Sequence, residues 1–250
     1  MTTRRAVFLA GVAALVLSAA PAFAAEVQVA VAANFTGPAK AIAAAFTGAT
    51  GDQVSLSFGS SGQFYAQIAH GAPYQVFLSA DAARPAKAEQ AGLGVPGTRF
   101  TYAVGRLVLF SKHPGLVDPA GTVLRSGRFS RIAIADPATA PYGAAAVQTL
   151  QKLGAWPQAR PKIVKGEDIT QAYQFTATGA ADLGFVALSQ VVGKPGGSRW
   201  VVPETLHAPI AQQAILLEPG ADAPAARAFL AFLKGPQAKA IIRRYGYGTP

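Results

Sequence analysis

Short apolar runs that alternate like strands are separated along this chain by longer alanine-rich stretches whose apolar residues recur at helical spacing. VQVAV at 27–31 reads as a strand. It is followed by a helix over 36–47, with Pro38 in its first turn and Ala39, Ile42 and Phe46 on one face. The alternation continues with strands at 54–58 and 76–79 and helices at 63–70 and 82–91. Further on come strands at 131–135, 161–164 and 183–186, and helices at 142–153 and 169–178. Strands at 200–202 and 210–217 precede two last helices, 225–233 and 237–245. Strand-helix alternation of this kind predicts an α/β fold with mostly parallel sheets covered by helices.

One run breaks the rhythm. FTYAVGRLVLFS, 100–111, is too long for an ordinary strand and carries Gly105 in its middle. It predicts a strand that leaves one lobe and enters another. The expected division is a leader at 1–24, a first lobe of 25–104 plus 206–250, and a second lobe of 105–205. Hinges are then expected near Gly105 and near 207–210, with a ligand cleft between the lobes.

The first two dozen residues carry a different pattern. Arg4 and Arg5 precede an apolar run, and Ala22-Phe23-Ala24 offers a small-x-small cleavage site. That is a cleaved secretory signal peptide rather than a membrane anchor, and with no cysteine in the chain it suits a bacterial periplasmic protein. The Arg4-Arg5 pair leaves both the general and the twin-arginine export routes open. Setting those two arginines aside lowers the formal charge from +10 to +8. The cations are dispersed rather than clustered with aromatics, which argues against nucleic acid as a partner. A positive field does favour capture of small anions.

FGSSGQ, 58–63, places two hydroxyls between glycines at the mouth of a helix. It could be a nucleophile loop, a phosphate loop, an anion cradle or a turn. The three histidines, His70, His113 and His207, fall in different elements and are read as surface or loop residues. The motif is neither G-x-S-x-G nor a lysine-bearing phosphate loop, so a secreted serine hydrolase is the weaker reading. No spacing suited to a metal cation site occurs, and no cofactor is implied. A short polar loop before a helix recurs at Ala33-Asn34-Phe35-Thr36, at Gly59-Ser60-Ser61-Gly62, at 136–143 (DPATAPYG) and at Glu167-Asp168-Ile169. Asp136 and Asp168 are expected to be helix caps. Helix N-termini present unpaired N–H groups, so such loops converging on a cleft favour the cradle over the turn.

AVAANFTGPAKAI, FGSSGQFYAQIAHGAPYQVFLSAD, ADPATAPYGAAAVQTLQKLGAW and LKGPQAKAIIRRYGY together resemble the periplasmic molybdate-binding proteins that serve ABC importers. The resemblance runs over essentially the whole mature chain. It implies a two-lobed periplasmic binding protein fold with two hinge crossings and a central ligand cleft, a binding role and no enzymatic one. The implied partners are molybdate or tungstate and the membrane permease of an ABC importer, with the protein a monomer. Sulfate on the same fold is the alternative. The implied oxyanion contacts are Asn34, Ser61, the Tyr142 N–H and the Ile169 N–H. Many members of that family have a ligating tyrosine where this chain has Ala187, and the Tyr142 hydroxyl is the expected replacement.

Overall fold

The computed structural model describes residues 24–249, so the expected leader lies almost wholly outside the described residues. In chain order the elements are β1 (Glu26–Ala32), α1 (Thr36–Thr50), β2 (Gln53–Gly59), α2 (Ser61–Ala69), β3 (Val76–Leu78), α3 (Ala83–Gln90) and β4 (Phe100–Gly105). Then come β5 (Leu107–Ser111), α4 (Val123–Ser126), β6 (Ile132–Ala135), α5 (Pro141–Lys152), α6 (Trp156–Ala159), β7 (Ile163–Gly166), α7 (Ile169–Thr178), β8 (Leu183–Ala187), α8 (Leu188–Val191) and β9 (Ser198–Val201). The chain ends with β10 (Ile210–Leu216), α9 (Pro224–Lys234) and α10 (Pro236–Arg244). Among the described residues no helix is long and apolar enough to cross a membrane.

Two five-stranded sheets result, ordered β2-β1-β3-β10-β4 and β7-β6-β8-β5-β9. In the first, β1 runs parallel to β2 and β3 while β10 is antiparallel to β3 and β4. The second repeats the plan, with β6 parallel to β7 and β8 and β5 antiparallel to β8 and β9. Strand ladders, not helix contacts, thus define two lobes. The run 100–111 does break between them: Gly105 closes β4 in one sheet, Arg106 crosses, and Leu107 opens β5 in the other. The return crossing lies between β9 and β10. The crossings are tied by an ion pair, Arg106 Nη1 to Glu204 Oε1 at 3.4 Å.

Each lobe has its own core. In α1 the predicted face holds, with Pro38, Ala39, Ile42 and Phe46 buried against the first sheet, where Phe46 meets Phe229 of α9 edge to face. The second lobe buries Leu107, Leu109, Ile132, Ile134 and Phe185. Ala32, Ala33 and Ala80 of the first lobe join that cluster, so the lobes are shut on one another.

Several boundaries differ from expectation. β7 begins at Ile163, two residues late, because Arg160–Lys162 forms a 3-10 turn. α2 begins at Ser61 rather than Gln63, because Ser60 caps it: the Ser60 side chain takes the Gln63 N–H while the Gln63 side chain takes the Ser60 N–H. Asp168 is a cap as expected, but Asp136 is not. Its carboxylate accepts from the Ala138 N–H and closes the loop, and Ala140 takes the cap position of α5 with Pro141 as its first residue. The histidines lie in turns or loops as expected, and they differ in exposure. His70 and His113 are exposed, whereas His207 is buried beside the second hinge with its Nδ1 2.7 Å from the Ala208 carbonyl.

Candidate functional site

The strand registers bring the loops together. Ala32 pairs with Gly59 and Ala135 with Gly166, so in each sheet the loops after the parallel strands leave from one edge. Carboxyl ends of parallel strands are where open α/β folds bind ligands. Here the two edges face each other across the cleft. Asn34, Ser61, Tyr142 and Ile169 all border one small cavity between the lobes, together with Gly59, Ser60, Ala80, Ala140 and Asp168. About 10 Å³ of it is open to the centre of a water-sized sphere, room for a compact species and not for an organic solute. Among the described residues neither lysine nor arginine borders it.

Three α-helices begin at this cavity, and each leaves one backbone N–H over. The opening N–H groups of a helix have no partner within it. In α2, Gly62 N–H donates to the Thr139 carbonyl, Gln63 N–H to Ser60 Oγ and Phe64 N–H to the Ser60 carbonyl. That leaves Ser61. In α5, Pro141 has no N–H, and Gly143 and Ala144 both donate to the Ala140 carbonyl. That leaves Tyr142. In α7, Thr170 and Gln171 donate to Asp168 Oδ1 at 2.7 and 3.0 Å, and Ala172 donates to the Asp168 carbonyl. That leaves Ile169. The Asp168 carboxylate borders an otherwise neutral cavity, but one of its oxygens is engaged by its own helix.

The side chains are engaged unequally. Ser61 Oγ accepts from the Ala80 N–H at 2.9 Å, which aims the hydroxyl and frees its proton for a second partner. Asn34 is different, because its Nδ2 donates to Gln212 Oε1 at 2.9 Å and to the Tyr247 hydroxyl at 3.0 Å. Both amide hydrogens are committed. Asn34 can therefore serve a cavity ligand through its backbone rather than its amide. The Tyr142 hydroxyl is 3.4 Å from Gln212 Nε2 and packs against Gly105, so its resolved partner lies in the hinge. Ala187 ends β8 in the core of the second lobe and does not border the cavity.

Behind the cavity lies a buried polar network that the sequence reading missed. Tyr102 donates to the Ser79 carbonyl or to Gln212 Oε1, at 3.1 and 3.0 Å. Tyr247 reaches the Asn34 carbonyl at 2.7 Å and Ser189 Oγ at 2.9 Å, and Ser189 itself donates to the Asn34 carbonyl at 2.8 Å. Six residues from both lobes are thereby joined. Burial, and secondarily the neighbouring Tyr247, push the hydroxyls of Tyr102 and Tyr142 well above the ordinary tyrosine range, and burial pushes Tyr247 up to about 12. The network is neutral at physiological pH. A readable signal existed in Gln212, a polar residue at an inward position of IAQQAIL.

Among the described residues no histidine borders the cavity, and Ser61 Oγ accepts from the Ala80 N–H. Among the described residues no three His, Asp, Glu or Cys side chains cluster as cation ligands would.

Known proteins match along the whole described chain. Residues 27–248 match the family of bacterial extracellular solute-binding proteins. A molybdate-binding protein ModA of Rhodobacter capsulatus is 58% identical over 237 residues, 94% of each chain. Its counterpart in Azotobacter vinelandii is 57% identical over 235 residues, 93% of each. The solved structure of an Azotobacter vinelandii periplasmic molybdate-binding protein has a TM-score of 0.86 at 46% identity, covering 90% of this chain and 99% of that one. On this agreement of sequence and architecture, the chain belongs to the bacterial extracellular solute-binding proteins.

Proposed function

We propose that the protein binds molybdate in the periplasm, in the closed cleft between its lobes, and delivers it to the membrane permease of an ABC importer. Tungstate, a tetrahedral dianion of the same kind, is proposed as a second ligand. The observation that carries the reading is the set of three unpartnered helix N–H groups, at Ser61, Tyr142 and Ile169, around a cavity without a cationic side chain. High identity to relatives named molybdate-binding proteins supports the choice of anion. In this reading the anion is held by those N–H groups, by the Ser61 hydroxyl and by the Asn34 backbone.

Selectivity follows from hydrogen-bond chemistry. Molybdate and tungstate are fully deprotonated near neutrality, so every oxygen accepts, which suits a cavity lined by donors. Phosphate keeps a proton near neutrality, and wherever that proton faces the N–H groups it is a buried unpaired donor, at a cost of about 1–3 kcal/mol. Sulfate is also an acceptor throughout and must be rejected by size. The binder is further proposed to act as a monomer and to lose residues 1–24 on export, checked by size-exclusion mass and by N-terminal sequencing of periplasmic material.

The test is thermal unfolding with molybdate, tungstate, sulfate and phosphate in turn. A ligand present at about 1,000 times its Kd adds about 4 kcal/mol of stability. Molybdate should raise the melting temperature strongly and phosphate not at all. A shift with sulfate or phosphate and none with molybdate or tungstate refutes the assignment.

A further inference from the structure

Beside the buried polar network, two hydrogen bonds cross the cleft at its rim and end on the same loop of the second lobe. The Gly62 N–H donates to the Thr139 carbonyl at 2.9 Å, and Arg84 Nη2 donates to the Ala138 carbonyl at 3.2 Å. Both acceptors sit in the loop that leads into α5 and so into Tyr142. The guanidinium is aimed from its own lobe. Arg84 Nη1 pairs with the Asp81 carboxylate, the Arg84 N–H donates to Asp81 Oδ1 at 3.1 Å, and that oxygen also takes the Ser79 hydroxyl at 3.0 Å. A planar guanidinium can hold one partner in each lobe at once, which an ammonium on a flexible stem cannot do with the same geometry.

Gly62 marks the same spot. A Cβ there would stand 2.8 Å from Thr139 Cα, 2.9 Å from its carbonyl oxygen and 3.0 Å from Arg84 Nη2. The two nearer atoms are backbone of the other lobe, so the clash is relieved by moving the Thr139 loop away from α2, which parts the lobes at this point. Gly62 has an ordinary helical position, and its missing side chain is explained by lobe approach rather than by its own backbone conformation.

We propose that Gly62 and Arg84 form the latch of this binder, a positioning pair that touches no ligand and sets how long the shut state lasts. The proposal rests on the oxyanion-binding reading above. Bonds made only when the lobes meet stabilise the shut state and leave the open one untouched. Ligand release requires opening, so losing the latch speeds release, whereas capture by the open form proceeds as before.

Because the chain has no cysteine, A66C on α2 and Q151C on α5, both exposed, give one spin label per lobe in the full mature protein. Molybdate release and capture are followed by stopped flow, and label distances are measured with and without molybdate. In R84A we expect release roughly tenfold faster, as for one lost charge-assisted hydrogen bond, with capture unchanged and a longer mean label distance. R84K should fall between R84A and the parent, and G62A should give the longer distance with Arg84 intact. An unchanged ligand-free melting temperature separates the latch from general damage to the fold. Release rates and distances equal to the parent's in R84A and G62A overturn the proposal. If the parent binds none of the four oxyanions, the functional reading fails by itself, and ligand-free distances alone decide the latch: longer in both variants supports it, unchanged refutes it.

Discussion

Ser60 and Ser61 are adjacent hydroxyls with opposite predicted consequences. Ser61 is 1% exposed, accepts from the Ala80 N–H at 2.9 Å and has its own proton free beside the cavity. Ser61→Ala removes a hydrogen bond to a charged ligand, worth about 1.5–3 kcal/mol, or roughly 10- to 150-fold in Kd. It also strands the Ala80 N–H, which costs the ligand-free protein about 1–3 kcal/mol. Ser60 is buried too, but its oxygen is spent on the Gln63 N–H. Ser60→Ala loses a helix cap, about 1 kcal/mol of stability, and leaves the Ser61 proton and N–H in place. Isothermal titration with molybdate and ligand-free chemical unfolding on both variants separate these terms. The expected result is a large affinity loss for Ser61→Ala only, with a stability loss for both. If Ser61→Ala binds as tightly as the parent, or Ser60→Ala loses more affinity than Ser61→Ala, the reasoning fails.

Three further outcomes are expected. Tyr142→Phe strands Gln212 Nε2 and should cost about 1–3 kcal/mol of stability with Kd nearly unchanged; a Kd loss of about tenfold or more in titration would instead make the hydroxyl a ligand contact. Gly105→Ala drives a methyl into the Tyr142 hydroxyl and to 2.9 Å from Gln212 Nε2, so it should lower the melting temperature by an amount equivalent to about 1–3 kcal/mol. The third concerns alkaline pH. A tyrosine whose folded pKa is raised binds more protons folded than unfolded above about pH 10, so its stabilisation is complete below that pH and is lost as pH climbs through the folded value, about 12 for Tyr247. Unfolding free energy should therefore hold level to about pH 10 and then fall, by about 2–3 kcal/mol for Tyr247 alone, while molybdate Kd stays level from neutrality to about pH 9. A stability decline that sets in well below pH 10 would contradict this.

Much of the architecture was legible because it is written in local pattern. The strand-helix alternation and the overlong run at 100–111 predicted two lobes and where the chain crosses between them, and four loops before helices predicted what lines the cleft. The start of α2 was placed two residues late because Gly59-Ser60-Ser61-Gly62 was read as a loop, yet Ser60-x-x-Gln63 is itself a capping-box spelling. Asp136 was misread as a cap because a short polar residue before a helix looks the same whether it caps or closes a turn; Pro137 and Pro141 move the helix start downstream. What could not be read were pairings distant in sequence. Asn34 to Gln212 joins the end of β1 to β10 of the same sheet, far apart in sequence, and Gly62 to Thr139 joins residues that only the shut lobes bring together. An isolated asparagine gives no hint that both of its amide hydrogens are already taken.

Among the described residues the cavity has no cationic side chain, and this bears on how affinity and opening are coupled. A helix N-terminus carries about half a positive charge, so α2, α5 and α7 together oppose a dianion with about 1.5 charges. A buried lysine could supply a full charge, but in the empty site it would stand unpaired at a cost of several kcal/mol. Helix termini carry no such penalty, because their charge is spread over backbone groups that are mostly bonded. They also come from opposite sides: α2 belongs to the first lobe, α5 and α7 to the second. Neither lobe alone offers the whole set of donors, so the ligand gains its full set of hydrogen bonds only on closure. The hinge network of Asn34, Gln212 and Tyr247 fixes the donors of the first lobe before the ligand arrives, so less ordering is needed at the moment of capture. Opening then costs the ligand the single terminus of the first lobe or both termini of the second, depending on which lobe it stays with, so parting the lobes by itself weakens the protein's hold on the anion.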